Sequence, residues 1–401
     1  MSAPVRRIGA TAAALPRAVA TLVWRLARTF LRFLQRANLA GESWLLDSKK
    51  SLYGLAVTRI LFGLAGIGLL LSNFSSRLYT FGSGSAWNGE AAEPVSAFTR
   101  IWLFSLFDSV RLDDTAFTVL YLLLLALATA FTLGWRFKIV LPVYLVLWIS
   151  FIEMNDAVGD QGDNMYRIAL LLMLFADPAA RWSLDARRRR IGGDRTILPR
   201  EIGNLLHNLA LVALTAQVSF VYVSGALYKA GGAPWSEGYA VYNPLMTERF
   251  GTWPVLSELV TAWGPAVTLL SWGSIVIQLA FPFMLLTRPT RIVALAGIMS
   301  FHIGIAVLMG LPWFSLAMIA IDFVFVRDRT WRAAADAIRE ALASARRSAS
   351  DPAPPAAPAA VAGRKPASSV SEPERAQADT AAEERLSARD KEDAPRSPAV
   401  L

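Results

Sequence analysis

The chain has 401 residues, of which 54% are hydrophobic and 18% are charged, and its formal net charge is +9. Soluble domains of this length are less apolar, and the apolar residues here form long blocks, so the sequence predicts an integral membrane protein. The absence of cysteine excludes disulfides, thiolate nucleophiles and cysteine-ligated metals, and two histidines are too few for a histidine-rich metal site.

Residues 1–50 predict a basic amphipathic segment on the cytoplasmic side of a membrane. Four arginines recur at spacings of three and four residues and therefore share one helical face: Arg25, Arg28, Arg32 and Arg36. Charges at every turn would interrupt the apolar core of a secretory signal. We expect either that this helix lies on anionic lipid or that it packs against the rest of the protein.

Residues 51–331 predict an all-α, polytopic membrane bundle of about eight transmembrane helices, because each span needs about 20 helical residues. The apolar blocks lie at Leu52–Ser72, Ala116–Leu133, Ile139–Glu153, Asn164–Ala176, Leu205–Tyr228, Ala262–Leu286, Ile292–Met309 and Trp313–Val326. The fourth and the eighth blocks are short, so we expect each to be tilted, re-entrant or buried among its neighbours.

The loops between these blocks alternate in charge and predict the topology. Every second loop carries arginine or lysine, and the intervening loops Asn73–Thr115, Met154–Asp163, Lys229–Thr261 and Gly310–Pro312 are acidic or poor in positive charge. The positive-inside rule then places both termini in the cytoplasm. The positive net charge follows from this topology and requires no nucleic-acid partner. Residues 332–401 predict a mostly disordered cytoplasmic tail, since Ser348–Leu401 has almost no large apolar residue.

A polar stripe runs along the fifth apolar block and ends at a lysine. At 100° per residue, the stripe residues fall on one face: Asn208, Thr215, Ser219, Tyr222 and Lys229. The stripe predicts either a cavity wall or hydrogen bonds to neighbouring helices. A lysine at the edge of the hydrocarbon indicates a functional site, and a partly buried lysine can act as a general base.

An acidic segment, Glu153–Arg167, joins the third and fourth blocks. Turns rich in Asp, Asn and Gly can bind a hard cation, but the spacing differs from that of an EF-hand, and loop caps explain the same residues. We therefore predict no metal site. Ion pairing is the expected role: Glu153 or Asp163 neutralises Arg167, and the segment lies on the side where Lys229 emerges, so it could contribute to one shared outer site.

Three more polar residues lie within the apolar blocks. Arg59 is two turns into the first block and Asp322 is near the inner end of the eighth, so we expect the two to pair, with Asp177 as the other candidate partner of Arg59. His302 lies midway along the seventh block and is either a hydrogen-bonded packing residue or a site residue.

Motifs of known hydrolases and nucleotide-binding proteins do not occur in this sequence. It has no Gly-x-Ser-x-Gly elbow, no P-loop, no Gly-x-Gly-x-x-Gly after a strand and no His-Glu-x-x-His. No inverted repeat is evident either, which disfavours a secondary transporter.

The order of the remaining motifs resembles the horizontally transferred transmembrane (HTTM) family, bacterial relatives of the membrane part of vitamin K-dependent gamma-carboxylase. The similar segments are Leu55–Ile60 with Arg59, Asp163–Arg167, Tyr222 to Gly238 through Lys229 and Trp235, and Phe301–Gly304. In the carboxylase, a lysine of this motif deprotonates vitamin K hydroquinone, and Lys229 occupies the similar position. Two features differ: Asn164-Met165-Tyr166 lacks the carboxylase histidine, and nothing after Trp331 predicts the β-rich peptide-handling domain.

The resemblance therefore implies a multi-pass protein of a bacterial plasma membrane, with the lipid bilayer as its surroundings and without peptide carboxylation. The first hypothesis is that it acts on or binds a lipophilic, quinol-like small molecule, with Lys229 as the base and with Tyr222 and His302 as further catalytic candidates. Asn164, Trp235 and Tyr239 are the candidates for contacts with that molecule, and no cofactor is identified. The alternatives are a non-catalytic accessory protein for export, maturation or immunity of a secreted product, and a transporter.

Overall fold

The computed structural model describes residues 5–87, 96–155, 157–192 and 198–350, and these residues form helices without any strand. The longer helices are α1 Val5–Leu46, α2 Leu52–Ser72, α3 Asp114–Leu133, α4 Phe137–Ile152, α5 Gln161–Met173, α6 Arg200–Ala230, α7 Gly264–Met284, α8 Arg288–Leu308, α9 Pro312–Asp322 and α10 Asp328–Ser350. Shorter α-helices lie at Arg77–Thr80, Leu106–Ser109, Leu184–Gly192, Ala233–Ser236, Tyr242–Leu245 and Pro254–Thr261. Short 3₁₀ helices lie at Ser83–Trp87, Ala97–Arg100, Trp102–Phe104 and Phe323–Phe325.

Five helices are long and apolar enough to cross a membrane by length and composition: α2, α3, α6, α7 and α8. Two further apolar segments, α4 and Pro312–Phe325, are shorter than 18 residues. All eight predicted blocks are helical, and the first has the predicted bounds Leu52–Ser72. The fourth block, however, forms a helix of only 13 residues, Gln161–Met173. The all-helical, multi-pass prediction is therefore confirmed, whereas eight full crossings and the cytoplasmic termini stay predictions.

The core is built around α2, which packs against α3 and α9. Small residues allow this close approach: the ring of Trp313 from α9 lies where a side chain on Gly68 would be. On the other side, Phe62 of α2 and Tyr144 and Trp148 of α4 surround Tyr166 of α5. The Tyr166 hydroxyl donates to the carbonyl of Phe62 at 2.7 Å. Tyr166 also lies 2.9 Å from the hydroxyl of Tyr144. These contacts fix α5 against α2.

Arg59 is fully buried in α2, and the prediction that it pairs with Asp322 or Asp177 is wrong. Its guanidinium donates to four backbone carbonyl oxygens, those of Phe131 (3.1 Å), Thr132, Pro178 (3.2 Å) and Trp182 (2.6 Å). The first two belong to the last turn of α3, whose carbonyls have no partner within the helix. Gly134, with φ +63°, ends that helix beside the guanidinium, so Arg59 acts as a C-terminal cap.

The first helix is anchored at its C-terminal end, which packs against α6. The amide of Asn208 donates to the carbonyls of Trp44 (3.2 Å), Leu45 (2.8 Å) and Ser48 (2.9 Å), and Asn204 donates to Leu46 at 2.7 Å. Packing is therefore confirmed for this end of the helix. Further back, apolar side chains such as Phe30 and Phe33 remain 60% and 63% exposed.

The chain divides into two compact units, residues 1–340 and 341–401, and of the second unit the structure describes only residues 341–350, the end of α10. Most of the predicted tail, from Asp351 onward, lies outside the described residues. The predicted segment boundaries at residues 50 and 331 stay predictions.

Candidate functional site

Lys229 lies in the last turn of α6, and three elements surround its amine. The ammonium donates to the side-chain carbonyl of Gln278 on α7 at 2.8 Å. It also lies 5.1 Å from the ring centre of Trp235 and 5.0 Å from that of Phe301 on α8. In the described part of the chain, no carboxylate lies within 4 Å of this amine. An ammonium has three N–H donors, so two remain for a ligand.

The turn after α6 brings Trp235 back to Lys229. The helix Ala233–Ser236 has Pro234 in its first turn, which favours a new helix start directly after the preceding one ends. The indole of Trp272 on α7 donates to the carbonyl of Trp235 at 3.0 Å. The main chain at Trp235 is therefore bound to α7, which keeps this residue beside Lys229.

A second polar cluster lies deeper among α6, α8 and α9. Tyr222 is seven residues before Lys229, about 10 Å along the helix axis. Its hydroxyl donates to the Asp322 carboxylate at 2.9 Å and lies 3.4 Å from Nε2 of His302. All three side chains are at most 2% exposed. Asp322 Oδ1 and His302 Nδ1 have no hydrogen-bond partner among the described residues.

The surroundings of Lys229 and the cluster around Tyr222 are adjacent because residues of both lie next to each other on α6 and on α8. Lys229 and Tyr222 share one face of α6, and Phe301 and His302 are neighbours on α8 with ring centres 5.1 Å apart. The structure thus brings the three catalytic candidates, Lys229, Tyr222 and His302, into one region. Gln278 was not predicted from the sequence, although a single glutamine in the apolar run of α7 was a readable signal, and Phe301 was noted only as part of the segment Phe301–Gly304.

The three binding candidates do not share one place. Trp235 is beside Lys229, and Tyr239 is 41% exposed in the loop that follows. Asn164 belongs to the acidic segment instead, where its side-chain oxygen accepts from Nε of Arg167 at 3.1 Å. The N-terminal part of the polar stripe does not reach this site, since Asn208 binds the end of α1 and Thr215 donates within α6 to the carbonyl of Leu211 at 2.8 Å.

The acidic segment forms helix caps and an ion pair. Asp160 accepts from the backbone N–H groups of Gly162 and Asp163, and Asp163 accepts in return from the N–H of Asp160. The predicted neutralisation of Arg167 by Glu153 is confirmed. Asp156 lies outside the described residues. Among the described side chains, no group of three or more His, Asp or Glu residues is arranged to hold a metal.

Burial raises the pKa of Asp163 to about 7, and the nearby Asp160 carboxylate adds to this rise. Burial also raises the pKa of Asp160. The two carboxylates line two adjoining cavities of about 230 Å³ and about 410 Å³. Neither cavity is lined by Lys229, Tyr222 or His302.

One comparison with known proteins gives a match. The family model described as HTTM domain matches residues 49–331, which is more than half of the chain. No curated protein and no solved structure matches this chain.

Proposed function

The chain belongs to the HTTM domain family, and we propose that it is a multi-pass membrane protein that binds a lipophilic molecule with an acidic hydroxyl, such as a quinol, at Lys229. The supporting observation is the setting of the lysine amine, which Gln278 and two aromatic rings surround without a carboxylate within ion-pair distance in the described residues. A lysine near hydrocarbon is energetically costly, and residues of this kind usually mark functional sites.

In the proposed reaction, the neutral amine of Lys229 takes the hydroxyl proton of the ligand. The O–H bond breaks, a new N–H bond forms, and the products are an ammonium and a bound oxyanion. The ammonium is stabilised by the Gln278 carbonyl and by the faces of Trp235 and Phe301, because cations are attracted to aromatic faces. The ligand oxyanion then remains paired with the Lys229 ammonium that the proton transfer produced.

The cellular setting is part of the same proposal. We infer a location in a bacterial plasma membrane with both termini in the cytoplasm, which puts Lys229 and the acidic segment Glu153–Arg167 at the outer face. The alternating loop charges support this orientation.

A non-catalytic accessory protein is the second candidate. It is favoured by the position of the two cavities, because neither is lined by Lys229. In that role, the lysine would only bind a charged group and would never need to lose its proton.

Ligand analysis of the purified protein tests the proposal. The full chain and a Lys229→Met variant are purified in parallel, and their co-purifying lipids and quinones are identified by mass spectrometry. We expect a molecule with an acidic hydroxyl to be enriched with the wild type and depleted at least about tenfold with the variant. Lys50→Met is the control, because Lys50 makes its side-chain contact with Ser48 at the other end of the bundle core. Equal ligand profiles for the wild type and Lys229→Met would contradict the proposal.

A further inference from the structure

A cavity of about 230 Å³ lies among α2, α5 and α9, apart from Lys229, and four aromatic side chains form part of its wall. Its aromatic wall residues are Trp148, Tyr166, Trp313 and Phe314. Aromatic faces attract cations, and several of them around one space form the type of enclosure that binds organic ammonium ions.

The aromatic side chains of the wall are held in place by contacts with one another and with α2. Trp148 stacks on Tyr166 with ring centres 4.6 Å apart. The indole of Trp313 donates to the hydroxyl of Ser72 at 3.0 Å, while its ring covers Gly68. The cavity is therefore pre-organised, and a ligand would pay little to order these side chains.

Two carboxylates line this cavity, and neither forms an ion pair with a side chain of the described residues. Asp160 and Asp163 both line it, and no Lys, Arg or His side chain of the described residues lies within 4 Å of either. Arg167, the nearest candidate in sequence, pairs with Glu153 instead. The helix cap occupies Oδ1 of Asp160 and Oδ2 of Asp163. The second oxygen of each carboxylate is therefore available to a ligand.

Trp148 supplies an independent sign of a missing partner. This residue lines the cavity, is only 1% exposed, and its indole N–H has no acceptor in the part of the chain that the structure describes. A buried donor without an acceptor costs roughly 1–3 kcal/mol, so such donors are uncommon unless something else accepts from them. A ligand with an oxygen acceptor would meet this need.

We propose that this cavity binds the organic ammonium ion of a small amino alcohol or of a lipid headgroup, with Asp160 and Asp163 as counter-ions and the aromatic walls around the cation. The oxygen of the amino alcohol accepts from the indole of Trp148. An organic cation suits the site better than a metal ion, because no group of three or more His, Asp or Glu side chains among the described residues is arranged to hold a metal. The proposal is independent of the function proposed for Lys229, since the two sites share no lining residue.

Choline tests this proposal because it combines an ammonium with a hydroxyl. The full chain is placed in nanodiscs of phosphatidylglycerol alone, which carry no headgroup amine, and choline binding is measured by ligand-observed NMR. The matched probe is 3,3-dimethylbutanol, the neutral isostere of choline. We expect saturable choline binding and at least about tenfold weaker binding of the isostere.

Variants of the two carboxylates distinguish a loss of charge at the cavity from a loss of folded structure. Asp160→Asn/Asp163→Asn keeps the cap acceptors and removes both charges, so we expect at least about tenfold weaker choline binding with an intact protein. Asp113→Asn, at the cap of α3, is the control and should bind as the wild type does. If choline does not saturate, or if the isostere or the double variant binds as tightly as choline does to the wild type, the proposal is overturned.

Lipid composition then distinguishes the two sources of the ammonium. If a headgroup is the natural ligand, nanodiscs that contain phosphatidylcholine will suppress choline binding, and if a free amino alcohol is, they will not. Both of these results support the site.

In either case, choline should bind more weakly as the pH falls from 8 to 6, because burial raises the pKa of Asp163 to about 7. The other charged groups that act on Asp163 are Asp160, Glu153 and Arg167.

Discussion

The hydroxyl of Tyr222 donates to the carboxylate of Asp322 at 2.9 Å, across the interface of α6 and α9. Asp322 is fully buried, and within the described residues neither Arg59 nor any other cation lies within 4 Å of it. The pair links the helix that carries Lys229 to the last apolar helix of the bundle. The geometry of the candidate site therefore depends on a hydrogen bond between two side chains that are far apart in sequence.

Removing the Tyr222 hydroxyl should destabilise the protein. Tyr222→Phe leaves the Asp322 carboxylate without its donor, and a buried polar group without a partner costs roughly 1–3 kcal/mol. Asp322→Asn keeps an acceptor for Tyr222 and cannot carry a charge, so we expect it to be no less stable than the wild type. Thermal unfolding in detergent measures both variants. A larger loss of stability for Asp322→Asn than for Tyr222→Phe would show that the carboxylate has a cationic partner.

Lysine should not replace Arg59. The guanidinium donates to four carbonyls in a planar arrangement that an ammonium cannot reproduce, so Arg59→Lys should lower the free energy of unfolding by roughly 3 kcal/mol or more. Arg288→Lys is the control, because Arg288 is exposed at the start of α8. Denaturation of both variants under identical detergent conditions gives the comparison, and equal stabilities would contradict the capping role of Arg59.

Asp163 should make the protein less stable as the pH rises. Burial, and secondly the Asp160 carboxylate, raise the pKa of Asp163 from 3.8 to about 7 in the folded state. Between pH 3.8 and about 7, the folded state therefore keeps a proton that the unfolded state has lost. The stabilising contribution is present at pH 4 and disappears as the pH rises through 7. Asp163→Asn cannot titrate. The melting temperature of the wild type minus that of this variant should therefore fall as the pH rises from about 4 to about 7, and a constant difference would rule out the raised pKa.

The inferred topology predicts the accessibility of two loops. A tag inserted after Trp235 should react with impermeant reagents from outside the cell, whereas a tag at the N-terminus should react only after permeabilisation. Both insertions are compared in the same membranes. A cytoplasmic tag after Trp235 would reverse the orientation and place Lys229 at the inner face.

The helical architecture could be predicted because it depends on local patterns. Apolar blocks of about 20 residues, and the bounds of α2 at Leu52 and Ser72, follow from hydrophobic length alone. The stripe on α6 likewise predicted that Tyr222 and Lys229 lie on one face. The 13-residue α5 was harder to predict, since a capping box at Asp160 and Asp163 starts it and the chain leaves the helix at Leu174.

Partners between distant helices could not be predicted from the sequence. Arg59 was expected beside a carboxylate because charges in a membrane usually pair, but backbone carbonyls at the end of α3 accept from it instead. Nothing in the linear order of residues shows that α3 ends next to α2 at this depth. Gln278 reaches Lys229 for the same reason, through the packing of α7 on α6.

The most direct test of the central claim is the substitution Lys229→Arg, because arginine keeps the positive charge but cannot act as a base near neutral pH. The lipophilic molecules with an acidic hydroxyl are quantified in a deletion strain and in strains that express equal amounts of the wild type or of Lys229→Arg. We predict that the deletion alters the amount of the molecule that Lys229 deprotonates, that the wild type restores it, and that Lys229→Arg does not. Full restoration by Lys229→Arg would contradict the role of Lys229 as a base.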